Sequence, residues 1–253
     1  MFGSRILLLA PHPDDELAGC CAAMARARAQ GSVVSVAFLT TGIPARERLW
    51  PWDRAGHPAR VERRREEARR VAAKTGAGIV HFSDAASRRL KDGIGAARDV
   101  AMRLCAECRA DVLWTPAYEG GHPDHDVASF IASTMRDALP VWEFSEYNFC
   151  GGRVRSNEFA AVRGEELEIR LSDDERRVKK GLLEMYASER GNLSYVQTER
   201  EVFRPLAEYD YSRPPHAGTL FYRRFSWAAF HPRVNEARPE EVCRAIAAYG
   251  AQA

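Results

Sequence analysis

The 253-residue sequence predicts an α/β fold, a Rossmann-like three-layer sandwich with a largely parallel sheet and a less regular C-terminal lobe. Two observations predict it. Over residues 1–150, short apolar or β-branched runs alternate with helical patterns in the order β-α-β-α-β-α-β-α-β, the mark of right-handed crossovers that cover a parallel sheet. Two of those runs break into a polar, proline-bearing turn just before a helix, and open α/β sheets seat their ligands at the carboxyl ends of strands. The chain is therefore divided into a core, residues 1–150, and an extension, residues 151–253. The extension is expected to complete the sheet and the substrate pocket within one integrated domain.

The first run, residues 6–10, is continuously apolar, as a strand buried on both faces requires. Pro11 and Pro13 end it, because proline cannot continue a strand ladder. Residues 17–30 carry a helical pattern that stops before Gly31, and residues 33–40 are a β-branched strand. The long segment 43–58 places Arg46, Arg48, Trp50 and Trp52 on the same rim as His12. It reads equally as a stacking surface for a polar ring and as a lid or subunit contact. Residues 57–74 form a charged helix with Arg63/Glu67 and Glu66/Arg70 at i,i+4 spacing. Acids alternate with bases there and no aromatics interleave, so it reads as a solvated face. Strands follow at 79–82, 111–115 and 141–149, with helices at 94–109 and 127–138 between them. On the last strand Glu143 and Glu146 fall on opposite faces. Residues 158–171 have strand character, and Ser172-Asp173-Asp174-Glu175 is a capping box for a helix reaching about residue 190. The rest, including His216 and His231, gives no regular pattern, and a lone histidine is read there as structural.

Lys+Arg 37 against Asp+Glu 35 leaves a net charge of +2, so no global field recruits nucleic acid or an anionic membrane. No apolar run approaches the roughly 20 residues that span a bilayer. The N-terminal apolar run is too short for a signal core, and the expected compartment is the cytoplasm. The six cysteines suggest no disulfide framework; Cys105 and Cys108 make a C-x-x-C inside a helical pattern and read as packing residues. A homo-oligomer is left open.

The chemistry concentrates in two turns. Pro11-His12-Pro13-Asp14-Asp15-Glu16 ends the first strand, and Gly121-His122-Pro123-Asp124-His125 follows the fourth. His12, Asp15 and His125 form a donor set that satisfies zinc and leaves a fourth position open; ferrous iron suits the same set. Asp14, next to a ligand but aimed differently, can take a proton as general base. Aspartates that merely cap helices would account for single carboxylates, but not for histidine and aspartate clusters on two strand ends of one chain.

In order and spacing these motifs resemble the two signature motifs of the PIG-L/LmbE-like de-N-acetylases, over about the first 150 residues by a domain-scale reading. The resemblance implies a zinc-dependent hydrolase that removes an N-acetyl or other N-acyl group from an amino sugar or glycoconjugate. It further implies that His122 stabilises the oxyanion and serves as acid, with Asp124 holding its imidazole. Arg64 with Glu67 resembles the family's arginine-x-x-glutamate element, whose arginine reaches the substrate, and Arg65 is the neighbouring register. By analogy of position Asp84 binds sugar hydroxyls, or else caps a turn. The family's assisting tyrosine has no match directly before His122, where Gly120 and Gly121 stand; Tyr118 lies further upstream and is expected, with Arg64 and Asp84, to contact the substrate. The alternative is a catalytically lapsed metal- or sugar-binding module of the same fold. Against it stands Asp14, which only catalysis needs. Phosphoester hydrolysis is disfavoured, because no glycine-rich phosphate loop accompanies the motifs.

Overall fold

The computed structural model describes residues 1–226 and 237–251. The strands, in chain order, are β1 (Arg5–Ala10), β2 (Val33–Phe38), β3 (Gly78–Phe82), β4 (Val112–Pro116), β5 (Val141–Phe144), β6 (Tyr147–Asn148), β7 (Arg155–Ser156), β8 (Leu167–Arg170) and β9 (Arg200–Pro205). The helices are α1 (Asp15–Ala18), α2 (Cys21–Ala29), α3 (His57–Thr75), α4 (Ile94–Cys108), α5 (Pro123–Ser133), α6 (Asp173–Glu184) and α7 (Pro239–Gly250).

Seven strands form one sheet in the order β3-β2-β1-β4-β5-β9-β8. The first five run parallel, as the alternating pattern requires. β9 and β8 then continue the sheet antiparallel from β5, so the extension joins the core edge to edge. β1 lies centrally and its apolar run serves both faces. Leu7 and Leu9 pack with Ile94 and Leu104 of α4, Val127 and Ile131 of α5, and Val242 and Ile246 of α7. Ile6, Leu8 and Ala10 pack with Ala23 and Met24 of α2, Ala68 and Val71 of α3, and Leu182 and Leu183 of α6. That is the three-layer sandwich the sequence predicts.

The local departures have physical causes. The helix expected over 17–30 is two helices with a break at Gly19 and Cys20. A Cβ on Gly19 would lie 2.2 Å from Cδ2 of the buried Phe144, so the chain passes β5 too closely for any side chain. The freed groups at the break are met from the extension: Glu201 accepts from the N–H groups of Ala22 and Ala23, and Lys179 donates to the carbonyl of Ala18. The strand expected over 141–149 ends at Phe144, and Tyr147–Asn148 turns into a separate two-stranded ribbon with β7. Strand character at 158–171 is realised only as β8, and the capping box at Ser172 is present but its helix ends at Glu184. The second motif opens α5 directly at Pro123, four residues ahead of the predicted start. His216 is half-buried and does not line the cavity, while His231 lies outside the described residues. All six cysteines are free thiols, and among the described residues no helix is long and apolar enough to cross a membrane.

Candidate active site

The carboxyl ends of β1 and β4 lie side by side, because these strands pair directly, and so the two polar turns meet. His12 Nδ1 lies 3.3 Å from Asp15 Oδ2, His125 Nε2 lies 3.3 Å from Asp15 Oδ1, and the two imidazole nitrogens are 3.3 Å apart. Bonds of about 2.0–2.1 Å to a tetrahedral zinc make ligand-to-ligand edges of roughly 3.3–3.4 Å. The two imidazole nitrogens are thus at the spacing of zinc ligands, and each faces one of the two oxygens of Asp15.

The remaining atoms of these residues are committed elsewhere. His12 Nε2 is 3.0 Å from Asp124 Oδ2, which leaves Nδ1 for the cation. Asp124 also accepts from the backbone N–H groups of Arg88 (2.6 Å) and Leu90 (3.1 Å). Burial pulls the His12 pKa down, yet Asp15 and Asp124 outweigh it and raise it to about 10. Burial likewise works against the Asp15 carboxylate, but the two histidines hold its pKa well below the usual range. The site thus prefers positive charge between these groups, supplied by a proton or by a metal.

Asp14 is built differently. Its φ of 128° is a left-handed value that a non-glycine residue rarely adopts. Its N–H donates to Glu16 Oε2 (2.9 Å), and Glu16 Oε1 accepts from the Tyr186 hydroxyl (2.5 Å). The Asp14 side chain accepts from Arg64 Nη2 at 3.0 Å. Burial pushes its pKa up to about 8 against the opposing charge of Arg64. Arg64 is itself buried, also meets Glu189 at 3.6 Å, and lines the cavity in front of the site. Glu67 accepts from the N–H and hydroxyl of Ser188, so the arginine-x-x-glutamate pair clamps the extension as well as Asp14.

His122 caps α5. Its Nδ1 accepts from the Asp124 N–H (3.2 Å), so Nε2 carries the hydrogen, 3.5 Å from Ser87 Oγ. Burial, then the neighbouring charges of His12 and Arg88, pull its pKa well below the ordinary value. It is a neutral N–H donor at the cavity wall. The expectation that the Asp124 carboxylate holds this imidazole is corrected here. That carboxylate stands 3.6 Å from His122 Nδ1 and serves His12, while the Asp124 backbone fixes the His122 tautomer.

Two expected substrate contacts do not reach this cavity. The Tyr118 hydroxyl donates to the Arg213 carbonyl at 2.7 Å, within a cluster with Tyr209 and Tyr211. The Asp84 side chain is 94% exposed, paired with Arg65 at 2.5 Å on the outer surface. Sequence reasoning missed Glu146. It sits just past the end of β5, buried, with neither carboxylate oxygen partnered, and Oε2 is 3.7 Å from His125 Nδ1. Burial and then the charges of Asp15 and Asp14 raise its pKa well above the usual range. Strand alternation did place it on the opposite face from Glu143, but nothing in the local sequence says that the strand stops between them.

In front of these groups lies a cavity of about 830 Å³. Trp50, Leu49 and Pro44 line one side, and Tyr147, Tyr195 and Phe221 the other, with arginines among them. Trp50 and Trp52 stack nearly parallel at 5.2 Å, so segment 43–58 does bring an aromatic platform to the rim.

The family described as PIG-L, GlcNAc-PI de-N-acetylase, matches residues 7–135. Its span begins within β1 and ends just past α5, enclosing both motifs. Among solved structures, a deacetylase from the teicoplanin biosynthesis pathway is 18% identical, with a TM-score of 0.63 over 81% of this chain and 99% of that one. The pseudoaglycone deacetylase Dbv21 is 20% identical, with a TM-score of 0.60 over 80% of this chain and 96% of its own. The N,N'-diacetylchitobiose deacetylase from Pyrococcus horikoshii is 15% identical, with a TM-score of 0.55 over 79% of this chain and 83% of its own. At these identities the likeness is one of fold. No curated protein sequence matches the chain.

Proposed function

Since the chain belongs to the PIG-L family of GlcNAc-PI de-N-acetylases, and is an N-deacetylase acting on amide C–N bonds, we propose that it removes an N-acyl group from an amino sugar or glycoconjugate at a zinc site made by His12, Asp15 and His125. One observation supports this reading: His12 Nδ1 and His125 Nε2 stand 3.3 Å apart and each lies 3.3 Å from an oxygen of Asp15, with the opposite nitrogen of His12 already held by Asp124. A zinc ion bound there would polarise the amide carbonyl and acidify a water molecule.

The chain's own residues supply the rest. Asp14, anchored by Arg64, accepts the proton of the attacking water and passes it to the amine nitrogen as the C–N bond breaks. Because Glu16 and Tyr186 pin its backbone, the carboxylate points into the cavity and cannot fold back into the ligand set. His122 directs its Nε2 hydrogen at the oxygen on which negative charge develops. Glu146 stands 3.7 Å from the other nitrogen of His125, beyond hydrogen-bond reach, and adds a buried carboxyl beside the proposed ligands. The aromatic walls exclude water and stack on the ring of the substrate. Residues 1–150 and 151–253 act as one catalytic unit, since Tyr195 and Phe221 close the cavity against the motifs. Free thiols support a reducing, cytoplasmic setting.

The test combines metal analysis with release of free amine from N-acetylated amino sugars. Wild type and Asp14→Asn should each hold about one zinc or iron per chain, and Asp15→Ala should hold none. Asp14→Asn should lose about 10²–10⁴-fold in kcat, the usual worth of a general base. A wild-type protein that takes up no metal would sink the reading and leave a lapsed binding module.

A further inference from the structure

Six arginines line the cavity: Arg48, Arg60, Arg63, Arg64, Arg88 and Arg224. Two have carboxylate partners, Arg60 with Asp53 at 2.5 Å and Arg64 with Asp14 at 3.0 Å. Among the described residues the side chains of the other four meet no carboxylate. An exposed arginine needs none, but Arg88 and Arg224 are half-buried inside the cavity, where an uncompensated charge is costly.

Both are held in place. Arg88 has a φ of 70°, and its N–H binds Asp124 Oδ2 at 2.6 Å, the same oxygen that holds His12. The residue before it, Ser87, touches both His12 and His122, at 3.4 and 3.5 Å. A strained backbone thus fixes where Arg88 stands relative to the metal donors, and such strain persists only where the surroundings enforce it. From the opposite wall, Arg224 lays its guanidinium over the rings of Phe221 and Phe225, at 3.4 and 4.5 Å from their centroids, and donates from Nη1 to the Phe221 carbonyl at 2.9 Å. Burial holds its pKa below the ordinary value against the opposing influence of Tyr195 and Tyr147, and the charge of Arg88 adds to the lowering. A planar guanidinium stacked on an aromatic face, with donors left over, is suited to binding an oxyanion through paired hydrogen bonds.

We propose that the substrate carries an oxyanion group, a phosphate or a carboxylate, which binds between Arg88 and Arg224 beside the amide to be cleaved. This rests on the deacetylase reading of the same site and narrows its substrate class. The group neutralises two cations that meet no carboxylate among the described residues, and it anchors the amide against His122.

Deacetylated amines test this without turnover. Binding of glucosamine, glucosamine 6-phosphate and muramic acid to the wild-type protein is measured by calorimetry, with and without metal. At least one charged amine should bind about tenfold or more tighter than glucosamine, the worth of one hydrogen-bonded charge pair, and added salt should weaken it. The preferred probe tells phosphate from carboxylate. In Arg88→Ala and in Arg224→Ala the ratio of charged to neutral affinity should fall toward one. Equal binding of all three amines, or a preference that survives both substitutions, overturns the subsite. Charge preference without amine release from any matching amide overturns the deacetylase reading and leaves the subsite standing; amine release without charge preference does the reverse.

Discussion

The two histidine-bearing turns look alike as strings of letters, but the structure builds them in different ways. The second is nearly self-sufficient. His122 is an extended N-cap, Pro123 starts α5 where a missing N–H does no harm, and Asp126 accepts from Gly120 within the same turn. The first leans on distant chain. Its helix α1 stops after four residues, Asp14 sits at a strained φ, and its supports are Arg64 on α3, Tyr186 beyond α6, and the Lys179–Glu201 pair of the extension. The proposed ligands lie within short local motifs, whereas the Asp14 carboxylate, the proposed proton acceptor, is positioned by residues roughly 50 to 170 positions away. If that contrast holds, damage to the extension should injure the first turn far more than the second.

The largest effect is expected at Lys179, whose ammonium is fully buried against Glu201 at 2.8 Å and also holds the Ala18 carbonyl. Lys179→Ala leaves a buried carboxylate without its partner, which costs about 3–5 kcal/mol. Thermal melting should fall by on the order of 10 °C. Reversing the exposed Arg69–Glu62 pair should shift stability by less than about 1 kcal/mol. Equal shifts for the two pairs would break the contrast.

Gly19→Ala tests the break between α1 and α2. The new Cβ would lie 2.2 Å from the Phe144 ring, so one of the two must move, at about 1–3 kcal/mol for overpacking. Phe144→Leu in the same protein should recover part of that loss; a denaturant midpoint unchanged by Gly19→Ala would show the approach is not close.

Glu16→Gln sharpens the comparison at the level of catalysis. Glu16 accepts from the Asp14 N–H with one oxygen and from Tyr186 with the other, whereas an amide can accept from only one of them and must meet the other with its NH2 group, without the charge. Release of a backbone strain worth about 1–3 kcal/mol should lower kcat about tenfold or more while bound metal stays unchanged. Loss of metal with kcat would instead make Glu16 part of the ligand framework.

The same contrast explains what the sequence could tell. The proposed ligands His12, Asp15 and His125 and the five parallel strands follow from short-range signals: an apolar run, a proline, and a histidine or aspartate at a fixed offset. Glu146, Lys179, Glu201 and Tyr186 carry no such signal, because their roles arise only when β9 pairs with β5 and α6 packs on α1. The antiparallel edge was equally hidden: β8 has one buried residue in four, so its alternation is faint. Asp124 shows a subtler failure. Its proximity to His122 in sequence suggested that partner, yet its carboxylate stands 3.6 Å from His122 Nδ1, while the neighbouring parallel strand β1 brings His12 within 3.0 Å.

The smallest effect is expected at Asp84, and it tests how far analogy of position can be carried. Its carboxylate is 94% exposed and paired only with Arg65 on the outer face of β3, so solvent already satisfies it. Asp84→Ala should change stability by no more than about 0.5 kcal/mol, as surface substitutions generally do. The KM for any N-acylated amino sugar should stay within about twofold, since no cavity-lining atom loses a partner. A tenfold rise in KM with unchanged kcat would mean that segment 83–88 moves on binding and carries Asp84 inward. Because Ser87 and Arg88 belong to that segment and touch His12 and Asp124, such a motion would have to disturb the metal site as well, and metal affinity measured on the same variant would reveal it.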